Sequence, residues 1–144
     1  MRAHDASIAG VLMTQKYSTG QSGPVTRKHM ETVDKELIKE GIKFMDKAPA
    51  DGKPFFVWFA VTHMHTFTQV PESHREKVRE FATYNDEYGA GVIQQDEHVG
   101  IVLRRLDDMG VVDNTIVIYS SDNGIEHLTY PHGNTSFRSE KMTT

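Results

Sequence analysis

Two apolar segments of strand length, separated by a long helical pattern, constrain the fold of this 144-residue chain most strongly. The first is PFFVWFAV at 54–61, bounded by helix-breaking residues, and the second is DNTIVIYS at 113–120. Their continuous apolar character predicts strands that are buried on both faces. Between them, residues 84–109 form a predicted helix that ends before Gly110. Strand, helix and strand in this order predict a βαβ unit with parallel strands and a right-handed crossover.

The helical patterns complete the predicted organisation of the chain. Residues 26–47 predict a helix with Thr26 as its N-cap, and a short helix follows near 72–81. Residues 1–23 show weak periodicity and predict an irregular segment. We therefore expect one α/β unit over residues 24–144, with a partial, mostly parallel sheet and helices on both faces. The predicted apolar stripes are Met30, Val33, Leu37, Gly41, Ile42 and Met45 in the first helix, and Val92, Val99, Leu103 and Leu106 in the long one.

Composition and charge exclude several classes of protein. The net charge of −4 gives no basic face that would bind nucleic acid. The sequence has no run of about 18 apolar residues, so it predicts no transmembrane helix. The apolar stretch SIAGVLM is short and follows Asp5, so it is a poor signal peptide. The chain has no cysteine, which excludes disulfides, thiolate metal sites and a cysteine nucleophile within it. We expect neither a nucleic-acid nor a membrane partner.

Polar side chains follow both predicted strands at their carboxyl ends, where parallel α/β sheets bind ligands. His63 and His65 come after the first strand, and Asp122 and Asn123 come after the second. If the strands are neighbours, these residues lie within roughly 5–10 Å of one another, given a strand spacing near 4.8 Å. Asp122 and Asn123 offer hard oxygen donors of the kind that Ca²⁺ or Mg²⁺ prefers. The alternative is that Asn123 and Gly124 only form a turn.

Two other groups leave open both a functional and a structural interpretation, and a third favours the structural one. In an extended chain His63 and His65 face the same way, an arrangement that suits zinc. The alternative is that one of the two histidines only caps the end of the strand. Lys141 lies in a polar loop and is either a functional cation or a solvated charge; Arg138 is similar. Asp96, Glu97 and His98 are adjacent in the long helix, so they point in different directions and predict a solvated face with helix-end packing.

Taken together, these segments resemble the sulfatase family of the alkaline-phosphatase-like superfamily. KPFFVWFAVTHMHTFT is similar to the strand that precedes the family's active-site histidine. DEHVGIVLRRLDDMGVVDNTIVIYSSDNGIE is similar to its most recognisable block, a helix, an Asp-Asn-Thr turn, a strand and an Asp-Asn-Gly metal motif. FRSEK is similar to the loop that carries its active-site lysine, and PVTRKHMETVD resembles bacterial arylsulfatase-type members. The resemblance runs from about Gly23 to the end of the chain.

The resemblance implies a role for each matching residue. Asp122 and Asn123 match a pair of calcium ligands, so Ca²⁺ is the expected cofactor and Mg²⁺ fits less well. His65 matches the histidine that contacts the sulfate ester, and Lys141 matches the lysine that binds a sulfate oxygen and assists the leaving group. The implied substrate is a small-molecule sulfate ester. The resemblance gives no role to His63.

One departure from the family pattern concerns the nucleophile. Sulfatases use a formylglycine made from Cys, or less often Ser, in a C/S-x-P-x-R motif. Ser22 begins such a pattern, but Thr26 stands where arginine belongs and Arg27 comes one residue late. The upstream strand with two further metal-binding aspartates is also absent. We therefore expect an internal piece of a sulfatase, inactive alone, which would need the missing N-terminal half as a partner.

Two alternative functions remain at this point. One is a non-catalytic domain that binds a divalent cation or serves as a partner module. The other is a zinc hydrolase that uses His63 and His65. A periplasmic or secreted parent protein is compatible with the family resemblance, but the chain itself fixes no compartment.

Overall fold

The structure is a computed structural model, and it describes residues 26–65, 68–80, 87–125 and 141. The helices in chain order are α1 (Arg27–Met30), α2 (Val33–Ala50), α3 (Glu72–Arg79) and α4 (Glu87–Asp108), followed by a short 3₁₀ helix at Val112–Asn114. The predicted irregular segment 1–23 and Arg138 lie outside the described residues. None of the described helices combines the length and the apolar character that a bilayer crossing demands.

The predicted helix over 26–47 forms as two consecutive helices. Thr26 is the N-cap as predicted, and its hydroxyl accepts a hydrogen bond from the His29 amide at 3.2 Å. The chain then turns at Glu31 and Thr32 before α2 begins, and the Thr32 hydroxyl donates to the His29 carbonyl. The first turn of the predicted helix is therefore a separate four-residue element, α1.

The buried face of α2 is shifted from the predicted stripe. It contains Gly41 and Met45 as predicted, but Ile38 is buried where Leu37 was expected. A polar residue, Asp34, occupies the same face at helical spacing. This one-residue shift matters because it points a carboxylate into the interior.

The long helix α4 ends as the sequence predicts but buries a different face. Gly110 has φ +66°, and the Gly110 and Val111 amides donate to the carbonyls of Asp107 and Leu106, which is a Schellman ending. Of the predicted stripe, Leu106 is buried, whereas Val92 and Leu103 are exposed. The buried face instead consists largely of small and polar residues, because α4 packs closely against α2 and α3; its members are Ala90, Gly91, Gln94, His98 and Leu106.

The first predicted strand is non-helical, and the second is non-helical only from Thr115, after the 3₁₀ helix. Neither forms a strand within the described ranges. Exposure alternates along 55–61, and the outward residues Phe56 and Trp58 are 66% and 82% exposed. Ile116 and Ile118 in the second segment are 89% and 84% exposed. The expected burial on both faces is therefore wrong for this structure. Burial on both faces needs layers packed against both sides of a segment, and in the described part of the chain the outward sides of these segments stay exposed. A strand also needs a hydrogen-bonded neighbour, and none pairs with these segments among the described residues.

A small core and several ion pairs hold α3 and α4 together. Val70, Val78 and Ala90 form the buried cluster, with Ile93 packed against it. Glu87 at the start of α4 accepts hydrogen bonds from the Arg75 guanidinium at 2.6 and 2.8 Å and from the Val70 amide at 3.1 Å. Val70, just before α3, is thereby fixed against α4.

Gly41 tests the packing of the first extended segment on α2. A Cβ at this position would lie 2.7 Å from Cζ of Phe59, closer than real Cβ contacts, so the ring would have to move. We expect Gly41→Ala to destabilise the protein by about 1–3 kcal/mol, which exceeds the gain in helix propensity of about 1 kcal/mol. Urea unfolding measures this change.

Gly100→Ala on α4 is the matched control. Its new Cβ would meet only the flexible end of Arg104, at 3.1 Å. We expect this variant to be neutral or more stable by up to about 1 kcal/mol. Equal free energies of unfolding for the two variants would show that Phe59 does not pack on α2.

Candidate active site

One cavity of about 510 Å³ brings the predicted site residues together from three parts of the chain. His65 comes from the turn after the first extended segment, Asp122 and Asn123 come from the end of the second, and Lys141 lies further along the chain. Met30, Val61, Met64, Tyr88 and Ile125 contribute apolar or aromatic surface to the same lining. The cavity therefore combines a few polar groups with an apolar wall, as small-molecule sites do.

The second extended segment ends in a bend that presents Asp122 and Asn123. Both residues are exposed, and the Ser121 hydroxyl donates to the Asn123 carbonyl at 2.7 Å, which closes the bend. The Lys141 amide donates to the Ile125 carbonyl at 2.8 Å. This backbone hydrogen bond holds the half-buried lysine beside the bend, although the two residues are far apart in sequence.

The donor set at this bend suits a hard cation in kind but not in number. A carboxylate and an amide carbonyl are suitable ligands for Ca²⁺, which takes six to eight oxygens. Among the described residues, no three His, Cys, Asp or Glu side chains come together as a metal site would need. Asp122 and Asn123 could therefore hold a cation only together with further ligands, and the zinc alternative gains no support.

His63 and His65 do not face the same way, because the chain between them is not extended. They form a turn in which Met64 has φ 80°, a left-handed conformation that few residues other than glycine adopt. The His63 side chain is buried, whereas His65 is exposed. The expected common orientation of the two rings is therefore wrong, and the positive φ is its cause.

Asp34 is the partner that holds His63. Its carboxylate is completely buried, and Oδ1 accepts hydrogen bonds from the Thr62 amide and the Thr62 hydroxyl, both at 2.9 Å. Oδ2 accepts from the His63 amide at 2.9 Å and from His63 Nδ1. One carboxylate thus binds two consecutive residues of the cavity lining through backbone and side chain.

The pKa of Asp34 is lower than that of an ordinary aspartate. Burial alone would raise it, but the hydrogen bonds from His63 and Thr62 outweigh burial and favour the ionised form. An ionised carboxylate can only accept hydrogen bonds, so Nδ1 of His63 carries the proton that it donates. Asp34 thereby fixes both the ring orientation and the protonation of Nδ1.

His98 lies behind His63, which corrects its predicted place on a solvated face. His98 is 3% exposed, and its ring meets that of His63 edge-on with ring centroids 6.2 Å apart. Burial lowers the pKa of His98, so its neutral form is favoured. His63 Nε2 and His98 Nδ1 are buried and have no hydrogen-bond partner among the described residues.

Sequence reasoning missed Asp34 and placed His98 on a solvated face, whereas both lie against His63 behind the cavity lining. Both lie in phase with the buried residues of their helices, Asp34 with Ile38 and Met45, and His98 with Gln94. A polar residue at an apolar register position is therefore the signal that could have identified them. Adjacent charges drew the prediction for 96–98 towards solvent, and Glu97 does pair with Lys77 and His74 at the surface.

Comparison with known proteins supports the family resemblance. The Sulfatase family model matches residues 3–144. The chain is similar to human N-acetylgalactosamine-6-sulfatase, with 32% identity over 74% of the chain and 20% of that protein. It is 28% identical to human arylsulfatase A over 69% of the chain and 19% of the relative. The corresponding figures for the uncharacterized sulfatase YdeN of Escherichia coli K12 are 29%, 64% and 17%.

The chain thus spans about a fifth of the length of these curated relatives. No solved structure matches it significantly.

The buried His98 predicts a stability that falls as the medium becomes acidic. Its pKa is lowered in the folded protein, so the unfolded chain takes up a proton first when the pH drops below about 6.5. The neutral, buried state is therefore fully stable above that pH and loses stability below it. We expect His98→Phe, which keeps an aromatic ring against His63, to flatten the fall in unfolding free energy between pH 7.5 and 5.5. Parallel pH profiles for both proteins would contradict the assignment.

Proposed function

The chain belongs to the sulfatase family, and from this premise we propose that the full-length protein hydrolyses sulfate monoesters of the aryl or alkyl type. The proposal is supported by one observation: the residues that match the family's sulfate and calcium positions line a single cavity. They reach it from separate parts of the chain. The relatives named above are themselves sulfatases.

The reaction breaks the S–O bond of the ester and leaves negative charge on the departing oxygen. His65 would donate a hydrogen bond or a proton to that oxygen. The Lys141 ammonium would bind a sulfate oxygen and stabilise the charge that develops on the leaving group. The nucleophile would come from a part of the protein outside these residues.

Charge balance supports a divalent cation at the bend. Asp122 brings one negative charge to the cavity and Lys141 one positive charge, and a sulfate monoester adds a further negative charge. Together these three groups carry a net negative charge. A divalent cation held by Asp122, Asn123 and ligands from elsewhere would make that net charge positive. Bound there, it would polarise the sulfate oxygens as a Lewis acid.

We also propose that residues 53–62 and 115–121 are neighbouring parallel strands in the full-length protein. The exposed apolar side chains of Trp58 and Ile116 support this, because layers packed on both faces of such a sheet would cover them. The second extended segment would deliver Asp122 to the edge of the sheet where His65 also lies. The resulting α/β arrangement is the one that the family implies.

Substitution of the two proposed catalytic residues tests the function. We expect His65→Ala and Lys141→Ala in the full-length protein to lower kcat for nitrophenyl sulfate by about 100-fold or more, because each removes a group that acts on the leaving oxygen. His74→Ala and Lys43→Ala are matched controls, since both residues lie away from the cavity lining and pair with glutamates on the surface. Wild-type kcat in both site variants would refute the proposal.

Calcium dependence tests the role of the bend and separates this function from a purely binding one. We expect Ca²⁺ to raise the melting temperature of the full-length protein, and Asp122→Ala, but not Asp96→Ala, to abolish the rise. Asp96 is an exposed aspartate on α4. Calcium stabilisation without any turnover would favour a cation-binding module, and no calcium effect would refute the metal site.

The residues of this chain alone are expected to lack turnover. A purified 144-residue chain that cleaved nitrophenyl sulfate well above the buffer rate would contradict the need for a nucleophile from outside it. The full-length protein, assayed at the same concentration, is the positive control.

A further inference from the structure

We propose that Asp34 is a positioning residue for the sulfatase reaction: by binding Thr62 and His63 it fixes the turn that presents His65 to the cavity. The inference rests on the proposed catalytic role of His65. It assigns a function to a buried carboxylate in α2 that itself does not line the cavity. It also gives His63 a role, as the side chain through which Asp34 acts.

The Asp34 carboxylate binds one short stretch of the chain. The carboxylate receives four donors, two from Thr62 and two from His63, and all four lie in consecutive residues. Both side chains of the Asp34–His63 pair are at most 1% exposed. The contact is therefore shielded from water, where charge-assisted hydrogen bonds are strongest.

The residue after His63 has a strained backbone conformation. Met64 adopts φ 80° directly after the bound residue His63 and directly before His65. A non-glycine residue keeps such a conformation only where its surroundings enforce it. The Asp34 contacts supply that constraint on the N-terminal side of the turn.

On its C-terminal side, His65 is held by Thr68. The His65 carbonyl accepts hydrogen bonds from the Thr68 amide at 2.9 Å and the Thr68 hydroxyl at 2.6 Å. Thr68 is buried against α4, where a Cβ on Gly91 would lie 3.0 Å from Cγ2 of Thr68 and 3.6 Å from Sδ of Met64. His65 is thus held between two fixed points, one on α2 and one on α4.

Such a device matters because the leaving-group contact of a general acid depends on sub-ångström placement. A misplacement of about 1 Å can reduce a rate by about 100-fold without changing the reacting groups. Loss of Asp34 would release the turn while the His65 imidazole stays chemically intact. The expected signature is therefore a loss in kcat rather than in substrate binding.

The experiment compares Asp34→Asn with Asp46→Asn in the full-length protein, using nitrophenyl sulfate. Asp46 is an aspartate on the same helix that pairs with Arg105 at 2.7 Å at the surface. We expect Asp34→Asn to lower kcat at least about 10-fold with KM changed less than about threefold, and Asp46→Asn to resemble the wild type. Wild-type kcat in a folded Asp34→Asn protein would overturn the proposal.

A pair of His63 variants decides the matter if Asp34→Asn does not fold. Asn in place of His63 keeps an N–H donor near the position of Nδ1, whereas Leu removes it. We expect His63→Asn to retain kcat within about threefold and His63→Leu to lose about 10-fold or more. Equal kcat values for these two variants would overturn the proposal.

The outcomes also separate this inference from the proposed function. If His65→Ala leaves kcat unchanged, the catalytic assignment fails whatever Asp34 does. If His65→Ala abolishes turnover while the Asp34 and His63 variants keep wild-type kcat, only the positioning role fails.

Discussion

The arrangement of the site depends on the hydrogen bonds that the buried Asp34 carboxylate accepts from Thr62 and His63. Removing a charged carboxylate from water costs on the order of several kcal/mol, and it is tolerated only where hydrogen bonds compensate. Here the compensating donors all belong to Thr62 and His63, the residues that follow the first extended segment. Helix α2 therefore determines where that segment ends and where the turn to His65 begins.

The cavity follows from this constraint together with one backbone hydrogen bond. The turn places His65 at the cavity, and the backbone hydrogen bond from the Lys141 amide to the Ile125 carbonyl brings Lys141 to the same cavity as Asp122. A cation and an anion thus share one cavity with an imidazole. This combination suits an anionic ester bound with a divalent cation, and it explains why residues far apart in sequence belong to one site.

The sequence predicts the helices and the membership of the site better than it predicts their packing. Thr26 as a cap and Gly110 as a helix end depend on local chemistry, and both predictions are confirmed. His65, Asp122 and Asn123 were predictable from the carboxyl ends of two apolar segments, and Lys141 only from the family resemblance. The orientation of His63 was not, because it depends on Asp34, a residue 29 positions away whose buried register only the tertiary structure reveals.

The strand assignments differ for a related reason. Apolar content indicates that a segment seeks burial, but burial and a hydrogen-bond ladder both require a neighbour. Trp58 remains 82% exposed because no other described element covers that side of the first extended segment. Local patterns therefore predict segments that need a sheet, but they do not specify the partners that would form it.

A double-mutant cycle between Asp34 and His65 tests the central claim most directly. The measurement is kcat for nitrophenyl sulfate in the full-length protein carrying Asp34→Asn, His65→Ala or both. If Asp34 acts through His65, the two effects are not additive, and Asp34→Asn lowers kcat little or not at all once His65 is alanine. The same fold loss from Asp34→Asn in both backgrounds would contradict the account.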